Sequence, residues 1–136
     1  MNMFDIQREI FTKVMDAILT VSPSCRVTNA FVFTPATFPC VACVMSNDGT
    51  TAKMRDSSGA DNFRDITVTV DAYSNLHDGM KTEAESLMQT VIDTLYPLNF
   101  EMVSCKPVSN INNASNYRIT ATFTATVGAD GMIYTR

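Results

Sequence analysis

Tryptophan is absent from this 136-residue sequence, histidine occurs once, and no run of one charge sign is present. The ten basic residues (Arg8, Lys13, Arg26, Lys53, Arg55, Arg64, Lys81, Lys106, Arg118 and Arg136) are scattered, and net charge is −4. Tight nucleic-acid binding needs a clustered basic face to release counterions from phosphates. That class is excluded, although a negative surface still suits DNA that slides past without sticking. No apolar run approaches the roughly 20 residues of a membrane-spanning helix. The start, Met1-Asn-Met-Phe-Asp-Ile-Gln-Arg-Glu9, lacks the basic and apolar regions of a secretory signal, so a soluble protein of the reducing cytoplasm is expected. The five glycines are isolated in turns, which leaves no Gly-rich phosphate loop.

What is present is amphipathic patterning. Asp65 to Tyr73 alternates, with Ile66, Val68, Val70 and Ala72 on one face and Asp65, Thr67, Thr69 and Asp71 on the other. That period of two predicts a strand with one face on a core. From Met80 the period changes: Met80, Ala84, Leu87, Met88, Val91 and Leu95 form a helical stripe that stops before Pro97. A first helix is predicted over Phe4–Val21, on the stripe Met3, Ile6, Ile10, Val14, Ala17, Ile18 and Val21. Strands are predicted over Arg26–Phe33, Pro39–Ser46 and Asn99–Lys106, the last with Phe100, Met102 and Ser104 on one face. Tyr117–Val127 is the clearest strand, placing Tyr117, Ile119, Ala121, Phe123, Ala125 and Val127 opposite Arg118 and four threonines. Met132-Ile-Tyr134 could add a short final strand after the turn at Gly128–Gly131.

The implied fold is a single α+β domain over residues 1–136, a two-layer sandwich. Two amphipathic helices cover one face of a mostly antiparallel sheet, and the Thr-rich face is left to solvent or a partner. Between strands 2 and 3, Asn47–Asn62 reads as a long polar loop or projecting β-hairpin arm, a length usually reserved for functional or disordered segments.

Chemistry is sparse. Cys40-Val-Ala-Cys43 has thioredoxin-like spacing, but it falls inside a predicted strand, where positions three apart point to opposite faces. A zinc site commonly needs a second close pair, and Cys25, Cys105 and His77 are single. The cysteines read as buried structural residues. His77 lies in a strand-to-helix turn, beside Asp78 and without a G-x-S-x-G elbow, and reads as an exposed loop residue. Glu83 and Glu85 sit two apart on a helix and cannot face each other, and Asp48, Asp56 and Asp61 lack EF-hand spacing. Met15, Met45, Met80, Met88 and Met102 fit core positions, whereas Met54 and Met132 suit subunit contacts. A non-enzymatic role is expected, with no catalytic residue, metal or cofactor.

The succession of an opening helix, Ser22-Pro23, a strand, Phe38-Pro39, a second strand and a long polar loop carries a wider pattern. It continues through Asp65-Ile-Thr-Val-Thr-Val-Asp-Ala-Tyr-Ser74 and a helix with Lys81-Thr-Glu-Ala-Glu85 and Val91-Ile-Asp-Thr-Leu95. It closes on Tyr117-Arg-Ile-Thr-Ala-Thr-Phe123 and Gly131-Met-Ile-Tyr134. Over nearly the whole chain this order resembles the tail terminator, or tail completion, proteins of long-tailed bacteriophages. The resemblance implies a hexameric ring that caps the tail tube, stops its polymerisation and joins the tail to the head–tail connector or stopper protein. DNA would pass through the lumen without specific binding, no membrane would be involved, and the protein would reside in the virion tail or neck after synthesis in the host cytoplasm. Lys53, Met54, Arg55 and Asp56 in the arm, with Met132 and Tyr134, are then the candidate subunit or tube contacts. The alternatives are another neck protein, a small ligand-binding or regulatory α+β domain, and a thiol redox enzyme centred on Cys40 and Cys43.

Overall fold

The computed structural model describes residues 3–30, 37–50, 63–76, 78–108 and 117–128. The elements are α1 (Met3–Val21), β1 (Arg26–Thr28), β2 (Cys40–Thr50), β3 (Phe63–Ser74), α2 (Met80–Leu95), β4 (Glu101–Val108) and β5 (Tyr117–Gly128). The strands form a five-stranded sheet in the order β1-β2-β3-β5-β4, antiparallel throughout except for the β1–β2 pair. Both helices cover one face: α1 packs on α2 and β2, and α2 lies over β3 and β5. This is the α+β two-layer sandwich that the two periodicities predict.

The core follows from register. Ile66, Val68, Val70 and Ala72 of β3 stand opposite Ala125, Phe123, Ala121 and Ile119 of β5, and all eight are buried. Val41 and Cys43 of β2 extend the same face. From above, α1 contributes Ile10, Val14 and Ile18, and α2 contributes Ala84, Leu87, Met88, Val91 and Leu95. Each large aliphatic side chain buried here stabilises the fold by about 1.5–3 kcal/mol before entropy is counted.

Local chemistry sets the boundaries of α2. Gly79 precedes it with φ of +140°, a backbone region that L side chains rarely adopt, and its carbonyl accepts the Glu83 amide. Beyond Leu95 the chain tightens into a 3-10 turn, Tyr96–Leu98, that places Pro97 near its start, where a missing N–H costs nothing. Asn99 in the left-handed region (φ 69°) then turns the chain into β4, its amide bonded to the Tyr96 carbonyl.

Several sequence expectations need correction. β1 is three residues long, because Asn29 and Ala30 bend away; Phe31–Phe33 of the predicted strand lie outside the described residues. It runs parallel to β2, joined through a connection that includes a cis Phe38–Pro39 bond. β2 reaches Thr50, past Ser46, so the polar segment takes over four residues later than its composition suggests. β4 runs through Pro107, which an edge strand tolerates. The register of β4 slips between Met102 and Ser104, so Ser104 pairs with Thr122 on the polar face instead of sharing a face with Met102. Val103 is the bulged residue, and it is 62% exposed. Val21, the last residue of the α1 stripe, is exposed.

Candidate functional site

The sheet face turned away from the helices is built by ladder pairing into cross-strand rows. One row reads Arg26, Cys40, Tyr73, Arg118 and Val108, and the next Thr28, Ala42, Asp71, Thr120 and Lys106. Further along come Val44, Thr69, Thr122 and Ser104, then Ser46, Thr67 and Thr124, and finally Asp65 beside Thr126. Thr67, Thr69, Thr120, Thr122 and Thr124 are half-buried, as centre-strand side chains on an uncovered sheet would be. β-branched threonine suits this position because it keeps strand propensity while presenting a hydroxyl.

The first two rows do not fit the expectation of an open face. Cys40, Ala42, Asp71 and Tyr73 are all buried there, Asp71 to 2% exposure. Burial of a carboxylate demands a partner, and Arg118 provides it. Its Nε donates to Asp71 Oδ1 at 3.1 Å and its Nη2 lies 3.1 Å from the same oxygen. The guanidinium also stacks over the Tyr73 ring, 5.4 Å from the centroid. Burial pushes the Tyr73 hydroxyl above its usual pKa, against the opposing pull of Arg118. Further along, the Thr126 hydroxyl donates to Asp65 Oδ1 at 3.0 Å. On the helix side, the buried Ser74 hydroxyl donates to Glu83 Oε1 and accepts the Leu76 amide, tying β3 to the start of α2. Glu83 thus has a structural partner, and Glu85 stands exposed on another side of the helix.

The thiols show no nucleophile. Cys40 pairs with Tyr73 and Cys43 with Val70, so the two lie on opposite faces of the sheet, as strand parity requires. Desolvation raises both, Cys43 to about 12, and Cys25 is pushed to about 12 chiefly by burial. A reactive cysteine needs the opposite shift. Native protein treated with a thiol-reactive dye near pH 8 should therefore modify one cysteine fast, the exposed Cys105, and the other three only on unfolding. Cys105→Ser should abolish the fast phase; rapid modification of Cys40 in that variant would contradict the assignment. Among the described residues no group of three or more His, Cys, Asp or Glu side chains is placed to hold a metal ion.

Of the residues singled out from sequence as contacts, Lys53, Met54, Arg55, Asp56, Met132 and Tyr134 all lie outside the described residues, as does His77. The described strands on either side of residues 51–62 are paired: the β2–β3 ladder runs to Asn47↔Ile66 and, after a register irregularity, ends on Thr50↔Arg64. The Asp71–Arg118–Tyr73 cluster carried no sequence signal, since Asp71 stands in a row of outward polar residues like its neighbours.

No family model matches the chain, and no curated protein matches it. Against solved structures there are 23 matching chains. One of them, which carries no descriptive name, aligns with a TM-score of 0.56 at 16% identity, covering 88% of this chain and 92% of its own. The likeness is one of fold. No helix of the described residues is long and apolar enough to cross a membrane.

Proposed function

We propose that this chain is a non-enzymatic virion assembly protein of the tail terminator type. It would form a ring on the end of a phage tail tube, halt tube growth and present a surface to the head–tail connector while DNA passes through. The observation that carries the reading is the β2–β3 pair. Two long antiparallel strands lead out to, and back from, one polar segment that contains Lys53, Met54, Arg55 and Asp56. A segment anchored at both ends on paired strands can reach a neighbour while its base stays fixed in the sheet. The order α1, β1, β2, β3, α2, β4, β5 supports the reading, being the order of helices and strands that carries the resemblance. Thiols held protonated by burial also suit a role without covalent chemistry.

The test is solution mass by light scattering over a wide concentration range, with and without purified tail tubes. A discrete ring-sized species, or a monomer that becomes a ring on the tube end, is the expected result. A two-fold dimer indifferent to tubes would overturn the reading in favour of a regulatory or ligand-binding domain.

A further inference from the structure

The two edges of the sheet differ in how they are protected. The outer edge of β4 carries the Val103 bulge, exposed Glu101 and Lys106, and Pro107. Bulges, charges and proline on an edge keep other strands from adding to it. At the opposite side β1 is only three residues long, and its ladder with β2 stops at Thr28↔Ala42. The β2–β3 ladder runs on through Cys43, Val44 and Met45, and among the described residues no strand lies beside these three on the β1 side. This stretch of β2 has no charge and no proline. Such an edge is a template for a further strand.

A cavity of about 280 Å³ opens on the same stretch. Gln7, Arg8 and Phe11 of α1 line it with Cys43 and Met45 of β2, and exposed Asn29 stands at its rim, just past the end of β1. A strand continuing the line of β1 would send alternate side chains toward this cavity and the others to the far face, beside Val44. Val44 is the one apolar side chain in a cross-strand row otherwise made of Thr69, Thr122 and Ser104.

Residues 129–136, outside the described residues, contain a triplet that matches this pattern. In Met132-Ile-Tyr134 the outer two side chains share one face of a strand and Ile133 takes the other. With Ile133 beside Val44, Met132 and Tyr134 flank Cys43 and Met45. A tyrosine ring suits a cavity that is apolar inside and wet at its rim, and it gains a thioether contact from Met45.

The triplet cannot reach this edge within its own copy. Gly128 stands at the Phe63 level of the sheet and Val44 at the Thr69 level. Those six residues span about 20 Å, and the three strand spacings from β5 to the far side of β2 span about 14 Å. The straight-line separation is thus about 24 Å, whereas Ile133, five residues past Gly128, can lie at most about 18 Å from it. A copy that fills the edge with this segment must be another one. Donor and acceptor surfaces differ, so the contact runs head to tail, and it makes a ring when the rotation closes.

We propose that Met132–Tyr134 of a second copy of this chain adds as a strand to the Cys43–Met45 edge of β2, with Tyr134 in the α1–β2 cavity. The proposal rests on the assembly reading above and specifies the contact that reading would use.

A disulfide trap in a Cys105→Ser background, which removes the exposed thiol, tests it. With Val44→Cys and Ile133→Cys in one chain, air oxidation of the assembled protein should give a ladder of linked multiples on a non-reducing gel. A one-to-one mixture of the two single variants should stop at linked dimers. Tyr134→Ala should need at least about tenfold more protein to assemble, whereas Tyr134→Phe should match wild type. Circular dichroism verifies that each variant folds. Rings that stay unlinked, a link that closes within one chain, or Tyr134→Ala rings at the wild-type concentration would overturn the strand assignment while leaving the ring reading intact. Wild-type protein that forms no ring with or without tail tubes would overturn both.

Discussion

Arg118→Ala is expected to destabilise the folded chain by about 3–5 kcal/mol, the cost of stranding a buried carboxylate without its counterion. Asp71 has almost no contact with water, and the Arg118 side chain keeps only 19% of its surface exposed, so solvent cannot replace the lost partner. For a domain of this size the loss corresponds to a fall of roughly 10–20 °C in Tm. The pair itself contributes less than this figure suggests. Removing both charges together, as in Asp71→Val with Arg118→Leu, should recover much of the stability, because replacing a buried ion pair by apolar groups is often neutral. Arg118→Lys should fall between the two, keeping the charge but losing the planar stack over Tyr73. Thermal unfolding of the three variants decides it. An Arg118→Ala protein within 1 kcal/mol of the parent would mean that water reaches Asp71 and that the first rows of this face are open after all.

Phe123→Ala should be about as costly, roughly 3–5 kcal/mol. The ring is fully buried on β5, between Val68 of β3 and Met102 of β4, beneath α2. Truncation removes transfer free energy and leaves a cavity that neighbours on rigid paired strands cannot close. Thr122→Ala, one residue away on the other face, is the matched control and should change stability by no more than about 0.5 kcal/mol. Urea unfolding of both variants measures the contrast. Equal effects would mean that the register of β5 is displaced by one residue, which exchanges the two faces.

The elements legible in sequence are those whose period is long and uninterrupted. α2 runs over Met80–Leu95 as its stripe predicts, and β3 and β5 carry alternation over many residues, so their buried sides follow directly. β4 failed at one residue. Nothing in Glu-Met-Val-Ser-Cys marks Val103 as the extra residue of a bulge, and a slip of one position reverses every facing after it. The parallel pairing of β1 escaped for a different reason, since three residues carry no usable period. Asp71 escaped because its partner lies 47 residues away in sequence. Local pattern can show that a residue is polar and which face it takes, whereas burial depends on what the rest of the chain brings to that face.

The position of β5 has a consequence for how the chain reaches its folded state. It is the last described strand in sequence, yet it sits inside the sheet between β3 and β4, paired with β3 from Phe63↔Gly128 to Ser74↔Tyr117. During synthesis α1, the β2–β3 hairpin and α2 can all emerge before it, but β3 then has an unpaired edge and α2 lacks half of its floor. Pairing across such long intervals closes large loops before any contact rewards them, which places folding toward the slower, millisecond-to-second end of small domains. A nascent chain stalled before Tyr117 would therefore expose an apolar strand edge on the ribosome, and the time spent in that state sets its exposure to chaperones and to other chains.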